Sequence, residues 1–348
     1  MHKVNIGISI GDINGIGPEV VIKTLADDRL LKYCNPVIFA SSGIINFYKN
    51  PSGKPQFKFN QTQSAEKLNN KTVNLVNILD GKAKIEPGQV TEEAGEIALK
   101  SLDATLSALK EGHIDAMVTA PLNKHNVNTE DHHFTGHTEY ITKFFEAEES
   151  LMFLVSEKIR VGLATNHLPL QEVAAKLNSD VIYEKLKIMN ESLKRDFLIH
   201  KPKIAVLGLN PHAGDNQLLG NEETEIIMPA ISKAKEDGMF IVGPFAADGF
   251  FGSGAFAKFD AILAMYHDQG LIPFKSFSFS KGVNFTAGLP IVRTSPDHGT
   301  AYDIATRNQA NESSFREAIF SAMDIVRNRR AYDEMTANPL QPSSKKGK

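Results

Sequence analysis

Short apolar runs rich in β-branched residues recur along the chain at 4–10, 37–40, 116–120, 161–164, 204–209, 240–242, 261–265 and 289–292, and each stops abruptly at Gly, Asn, Asp, Pro or His. Continuous rather than alternating apolarity is the pattern of strands covered on both faces. Between several of these runs, apolar residues recur with helical period, at 19–25, 92–109, 170–176 and 223–235. Strands alternating with helices predict an α/β fold on a parallel sheet and argue against all-α and all-β folds. Segment 49–77, rich in Asn, Gln and Lys, interrupts the pattern and reads as an exposed loop or an edge hairpin. The polar stretch 338–348, with two prolines, is expected to form a disordered tail.

Composition narrows the classes. At roughly 150 residues per domain, 348 residues suggest about two domains. A hydrophobic share of 42% against 23% charged permits a sizeable core and argues against intrinsic disorder. Lys and Arg (38) nearly balance Asp and Glu (41), so the chain lacks the positive field that non-specific nucleic-acid binding requires. No apolar run approaches the ~18 residues of a membrane span, and the N-terminus enters a strand-like run without a signal-peptide pattern. A cytoplasmic protein is the expectation. The single cysteine, Cys34, allows neither an intrachain disulfide nor a thiolate zinc cluster, so any metal must rest on histidine or carboxylate.

In open α/β sheets, ligands sit beyond the carboxyl ends of the strands. Three apolar runs there lead into histidine: His167, His212 and His267. A parallel sheet should deliver all three to one rim of one crevice, where three imidazoles with an open position suit a catalytic divalent metal. The plainer alternative is that some of the 11 histidines cap loops near strand ends. Asp268 adjoins His267, and Asp215 and Asp248 lie in neighbouring loops. Any of these could orient an imidazole, or could simply be a turn aspartate.

The first strand-to-helix turn, 11–20, places Gly15 and Gly17 before Pro18, a residue suited to a helix start. An anion could rest there, although a tight turn explains the same residues. Neither the Rossmann fingerprint nor the P-loop is matched, since Val20 stands in place of the third glycine and no Gly-Lys-Ser/Thr follows. His137 and Thr138 precede a helical pattern in which Thr138 is the expected N-cap. Lys275, Asn284 and Arg293 lie in an apolar, glycine-punctuated stretch and suggest a small anionic ligand, with surface snorkelling as the alternative. His132 and His133, in a charged loop, read as surface residues.

Taken together, the motifs resemble the 4-hydroxythreonine-4-phosphate dehydrogenase family, within the β-decarboxylating dehydrogenases that include isocitrate and isopropylmalate dehydrogenases. They are Gly7-Ile-Ser-Ile-Gly-Asp, Val118-Thr-Ala-Pro-Leu-Asn-Lys124, Thr135-Gly-His-Thr-Glu139, Ala164-Thr-Asn-His-Leu-Pro169, Leu209-Asn-Pro-His-Ala-Gly214, Tyr266-His-Asp-Gln-Gly270 and the stretch from Pro290 to Ile304. The resemblance implies two α/β/α domains, a discontinuous nucleotide-side domain of 1–122 plus 288–337 and an inserted domain of 123–287, with the active site in the cleft between them. It implies metal ligation by His167, His212 and His267, substrate contacts from His137, Thr138, Lys275, Asn284 and Arg293, and one zinc, cobalt or magnesium ion per site. NAD or NADP is implied near Gly15, Gly17, His298, Gly299 and Asp303; Tyr302 and Thr306 depart there from the wider group, which has proline and commonly glycine. Asp248 and Asp268 are candidate catalytic acids or bases.

The implied reaction is oxidation and decarboxylation of 4-phosphooxy-L-threonine to 3-amino-2-oxopropyl phosphate in vitamin B6 biosynthesis. D-threonate or D-erythronate 4-phosphate would fit the same site, and a three-histidine zinc hydrolase is the alternative from another class. A homodimer is implied, with each site completed across the interface; His267 reaching over to a site that holds His167 and His212 is one arrangement to test.

Overall fold

A computed structural model describes residues 3–128, 134, 136–279 and 281–338. The expected surface histidines His132 and His133, and all of the expected tail but residue 338, lie outside the described residues. Among the described residues, twelve strands form one sheet: β1 (Val4–Ser9), β2 (Cys34–Ala40), β3 (Phe59–Thr62), β4 (Val73–Asn77), β5 (Ala116–Thr119), β6 (Leu151–Val155), β7 (Arg160–Leu163), β8 (Lys203–Leu207), β9 (Phe240–Phe245), β10 (Ala261–Ala264), β11 (Val283–Ala287) and β12 (Arg293–Pro296). The helices are α1 (Gly17–Leu25), α2 (Ser42–Lys49), α3 (Glu92–Lys110), α4 (Lys124–Val127), α5 (His137–Phe144), α6 (Leu170–Lys176), α7 (Ser179–Arg195), α8 (Met228–Glu236), α9 (Ala247–Gly252), α10 (His267–Ser278) and α11 (Ser313–Thr336). None is long and apolar enough to cross a membrane among the described residues.

The helix boundaries follow local chemistry. At the head of α3, the Thr91 hydroxyl accepts from the Ala94 N–H, Glu92 and Glu93 occupy the first turn, and Lys110 closes the last. Asn178 caps α7 in the same way. Pro18 enters the first turn of α1, where its missing N–H costs nothing.

The strand order is β3-β4-β2-β1-β5-β12-β11-β6-β7-β10-β8-β9. It is mixed rather than parallel: β11 runs antiparallel to both β12 and β6, and β6 antiparallel to β7. Apolar β6 and β11 are missing from the sequence expectation, and their insertion reverses the sheet direction at its centre. The run at 289–292 is not a strand, because Pro290 offers no N–H to the ladder and pairing begins only where the Met117 N–H reaches the Val292 carbonyl at 3.0 Å. Segment 49–77 does reach the sheet edge, but β3 and β4 pair in parallel, which a hairpin cannot do. Its polar residues are structural: the buried Asn74 amide accepts from the Asn69 N–H at 2.8 Å and from Asn60 at 3.3 Å.

Helices cover both faces. One apolar cluster runs from Ile6 and Val118 through Phe285 and Phe153 to Ile204 and Leu263, so a single core spans the reversal. Cys34 is buried in β2, and burial pushes its thiol up to about 12. At the back of the central strands the buried Arg329 of α11 donates to the buried Asp196 at 2.6 Å and to the Leu289 and Pro290 carbonyls at 3.3 and 3.2 Å. This ties α11 to the end of α7 and to the loop that leads into β12. Removing one partner of such a pair strands the other charge, so Arg329→Ala should lower the unfolding free energy by about 3–5 kcal/mol in urea denaturation. A loss below about 1 kcal/mol would show that Asp196 finds another partner.

Candidate active site

Beside the sheet reversal lies a cavity of about 320 Å³. Its floor is Arg293, the first residue of β12, only 2% exposed. Nη2 donates to the Thr119 hydroxyl at the end of β5 at 2.7 Å, and Nη1 donates to Thr286 of β11 at 3.2 Å, while Nε is buried without a partner. Both acceptors are neutral, and no carboxylate lies within ion-pair distance among the described residues. Burial draws the guanidinium down to about 10, with Glu139 acting against the shift, so it stays charged at neutral pH. A buried cation with only hydroxyl partners is a receptor for an anion.

Asn284 of β11 joins the same wall and carries a buried Oδ1 without a hydrogen-bond partner. Lys275 of α10 reaches in with Nζ 3.6 Å from Asp297, whose carboxyl is raised by burial although Lys275 opposes the rise. Lys124, at the head of α4, adds a further cation.

Histidines line the opposite side. His267 opens α10, and its Nδ1 lies 2.7 Å from Asp268, which fixes the ring and leaves Nε2 free. His167, in the loop after β7, stands with its ring 5.7 Å from that of His267 and its Nδ1 4.0 Å from Glu139. Adjacency of β7 and β10 in the sheet brings the two together. Burial lowers the His167 pKa, Lys124 adding to the shift and Glu139 resisting it. His137, the half-buried first residue of α5, is driven well below 6.5 by desolvation and then by Arg293 and Lys124, so its ring is neutral. The N-cap position is Gly136, not Thr138, which lies one residue inside the helix. The Glu139 carboxylate closes over Gly136, 2.6 Å from where a Cβ would stand, so a side chain at 136 would have to displace that carboxylate.

The pocket therefore gathers His137, Thr138, His167, His267, Lys275, Asn284 and Arg293, with His298 and Gly299 at its edge. His212 is not among them. It sits exposed in the short turn Pro211–Gly214 with φ 53°, and no group of three His, Cys, Asp or Glu side chains is gathered to hold a metal among the described residues. The expectation of three imidazoles on one rim becomes two plus one: His167 and His267 line the cavity, and His212, in the left-handed turn after β8, does not. Asp248 is exposed on α9, and neither it nor Asp215 lines the cavity.

Gly15 and Gly17 serve packing: Cβ atoms there would stand 2.7 Å from the Thr300 carbonyl and 2.6 Å from that of Ile10. The Ile16 N–H donates to the Thr300 carbonyl at 2.9 Å, so the glycine turn and the 298–303 loop lie side by side. Burial lowers the His298 pKa, and Asp303 is exposed in the turn Tyr302–Ile304. Sequence reasoning passed over Lys124, Glu139, Asp297 and Thr119 as site residues. Their nearness to the ends of apolar runs was the available signal.

Converging strand ends, a buried cation with only hydroxyl partners and paired imidazoles define an α/β enzyme that handles a small anion. Residues 32–322 match the family of the pyridoxal phosphate biosynthetic protein PdxA. The chain is 47% identical over 341 residues to a 4-hydroxythreonine-4-phosphate dehydrogenase of Bacteroides thetaiotaomicron, covering 98% of this chain and 93% of that one. Identity with the Prosthecochloris aestuarii 4-hydroxythreonine-4-phosphate dehydrogenase is 38% over 330 residues, 92% of this chain and 97% of the relative. Among solved structures, the 4-hydroxythreonine-4-phosphate dehydrogenase of Klebsiella pneumoniae superposes with a TM-score of 0.82 at 34% identity, covering 93% of this chain and all of the other. The chain belongs to the PdxA family.

Below pH 6.5 the unfolded chain takes up a proton at His137 that the desolvated ring refuses, so this contribution to stability is whole above 6.5 and lost as pH falls. His298 acts in the same sense. Thermal melting should therefore weaken on acidification below 6.5, and the slope in His137→Gln should be shallower by up to about 1.4 kcal/mol per pH unit. An unchanged slope contradicts a neutral His137.

Proposed function

We propose that this pocket oxidises 4-phosphooxy-L-threonine with NAD and releases carbon dioxide, yielding 3-amino-2-oxopropyl phosphate for pyridoxal 5'-phosphate synthesis. The observation that carries this reading is Arg293, a charged floor without a carboxylate, with Lys124 and Lys275 in the walls above it. The substrate is a short chain with a carboxylate at one end and a phosphate at the other, and it brings an anion for the Arg293 guanidinium, which has no ion-paired carboxylate among the described residues. The relatives' name, 4-hydroxythreonine-4-phosphate dehydrogenase, agrees.

In this assignment Arg293 and Lys275 hold the anionic ends of the substrate. Neutral His137, Thr138 in the first turn of α5 and the open amide oxygen of Asn284 fix its orientation by hydrogen bonds. Asp268 is 71% exposed at its side chain and is bound to His267, so it positions that ring and does not act on substrate. Asp248 has no place in the cavity. NAD or NADP is assigned to the side where the Gly15–Gly17 turn meets His298, Gly299 and Asp303.

The donor set suits a divalent metal: His167 and His267 are adjacent, Asp268 leaves the His267 Nε2 free, and burial keeps His167 neutral. Two imidazoles favour zinc or cobalt over magnesium. When bound, such a cation supplies Lewis acidity to the alcohol being oxidised and to the keto acid that follows.

We assign His212 as the third ligand, contributed by a second copy of the chain. Exposed apolar side chains follow each histidine: Leu168 and Leu170 (72% exposed) after His167, Leu218 (77%) and Leu219 after His212, and Ile272 (64%) on α10 after His267. A two-fold interface covering them would set each His212 against the other chain's pair. The division into 1–122 plus 288–337 and 123–287 belongs to the same proposal; it is supported by the sheet, where the strands of each set are contiguous and Arg293 and Asn284 flank the join. A biosynthetic enzyme drawing on NAD is placed in the cytoplasm.

The decisive assay supplies NAD, a divalent metal and either 4-phosphooxy-L-threonine or D-erythronate 4-phosphate. NADH should form with the first in preference to the second, whereas a zinc hydrolase produces none. Arg293→Ala should lower kcat/KM ten- to a hundredfold or more, since losing a charge-assisted contact costs about 1.5–3 kcal/mol. An unchanged kcat/KM removes Arg293 from the site.

Because the His167 and His267 rings stand side by side within one chain, His212 is the ligand assigned to reach across. Co-refolding His212→Ala with His267→Ala should restore about a quarter of wild-type activity, because about half the dimers are hybrids with one intact site. Refolded alone, each variant stays inactive. A dead mixture in which hybrids have formed defeats the shared site.

A further inference from the structure

Six successive residues, His212 to Gln217, have φ between 41° and 83°, yet only Gly214 is a glycine. L-residues disfavour that region, and such a run persists only where its surroundings over-determine it. At the root of this run sits Glu223, a buried carboxylate on the turn Glu223–Ile227 that no step of the reaction uses. Its Oε1 accepts from the Leu209 N–H at 2.8 Å and the Asn210 N–H at 2.7 Å, and its Oε2 accepts from the Asn210 amide at 3.1 Å. Glycines make room on either side: Cβ atoms at Gly208 and Gly214 would stand 3.0 and 2.7 Å from the carboxylate oxygens. No cation pairs with Glu223 among the described residues, so N–H dipoles alone balance its charge.

A second link continues from the same loop. Gln269 donates to the Gly208 carbonyl at 2.6 Å and accepts from the Met265 N–H at 2.7 Å. Gln269 lies two residues after His267 on α10, so the root of the His212 loop is joined by hydrogen bonds to the element that presents His267.

We propose that Glu223 is a positioning residue for His212: it clamps the root of the left-handed loop and so sets the imidazole for the metal. The proposal rests on the reading of His212 as a ligand. Charge, reach and the two flanking glycines all match a carboxylate, whereas Glu223→Gln can still accept both N–H groups through its remaining oxygen and should largely replace it.

Co²⁺ alone is the probe, titrated into full-length protein carrying Glu223→Ala, Glu223→Gln or His212→Ala, with backbone hydrogen exchange over residues 209–217 measured without metal. Glu223→Ala should bind Co²⁺ about ten- to a hundredfold more weakly, the range found when partners behind a ligand are lost. It should also lose exchange protection in that loop while β8 and β10 keep theirs, and Glu223→Gln should stay near wild type in both. Should Glu223→Ala not fold, Glu223→Asp keeps the charge, shortens the reach and carries the same readouts. Full protection and wild-type Co²⁺ affinity in the truncated variant, with affinity lost in His212→Ala, overturns the proposal. Unchanged Co²⁺ affinity in His212→Ala defeats the ligand reading instead, and exchange separates the two failures because it reads the loop with no metal present.

Discussion

A guanidinium held inside the protein without a counter-charge is the constraint around which the pocket is arranged. Arg293 could have been neutralised by one nearby carboxylate. It is given two threonine hydroxyls instead, which satisfy hydrogen bonds and leave the charge in place. The sheet holds it in place: β5, β12 and β11 each contribute one of Thr119, Arg293 and Thr286, and these three bonded strands fix the guanidinium at the floor of the cavity. The neutrality of His137 follows from the same charge, since Arg293 joins burial in opposing its protonation.

The sheet reversal is the means to that end. In a wholly parallel sheet, strand-end loops supply all the ligands. Here β11 runs backwards between β12 and β6, so residues within strands, Asn284 and Arg293, join the lining, while loops supply His167 and Asp297 and the head of α10 supplies His267. A floor made of ladder residues is stiffer than a loop, which suits groups that must hold charge apart from its partner.

Much of this was legible in the sequence, for identifiable reasons. His167 and His267 follow apolar runs that become neighbouring parallel strands, and the strand-end rule places them correctly. Arg293 is visible as a charge amid apolar residues. The path of His212 is not visible, because it depends on a left-handed run with a carboxylate from eleven positions further along at its root. Strand direction is hidden as well: the apolarity of β6 and β11 is the same whichever way they run. Lys124, Glu139 and Asp297 look like ordinary loop charges in one dimension and become distinct only through convergence. The Asn-rich edge misleads in the other direction, since the Asn74 amide is buried and bonds to the Asn69 backbone and the Asn60 side chain.

Cys34 has a practical consequence. Its thiol sits within β2, between β1 and β4, and burial holds it in the unreactive protonated form. A thiol reagent can meet it only after the strand leaves the sheet. The chain therefore carries a built-in clock for global opening, readable by the rate of alkylation, and any cysteine introduced at the rim can be labelled against a silent background.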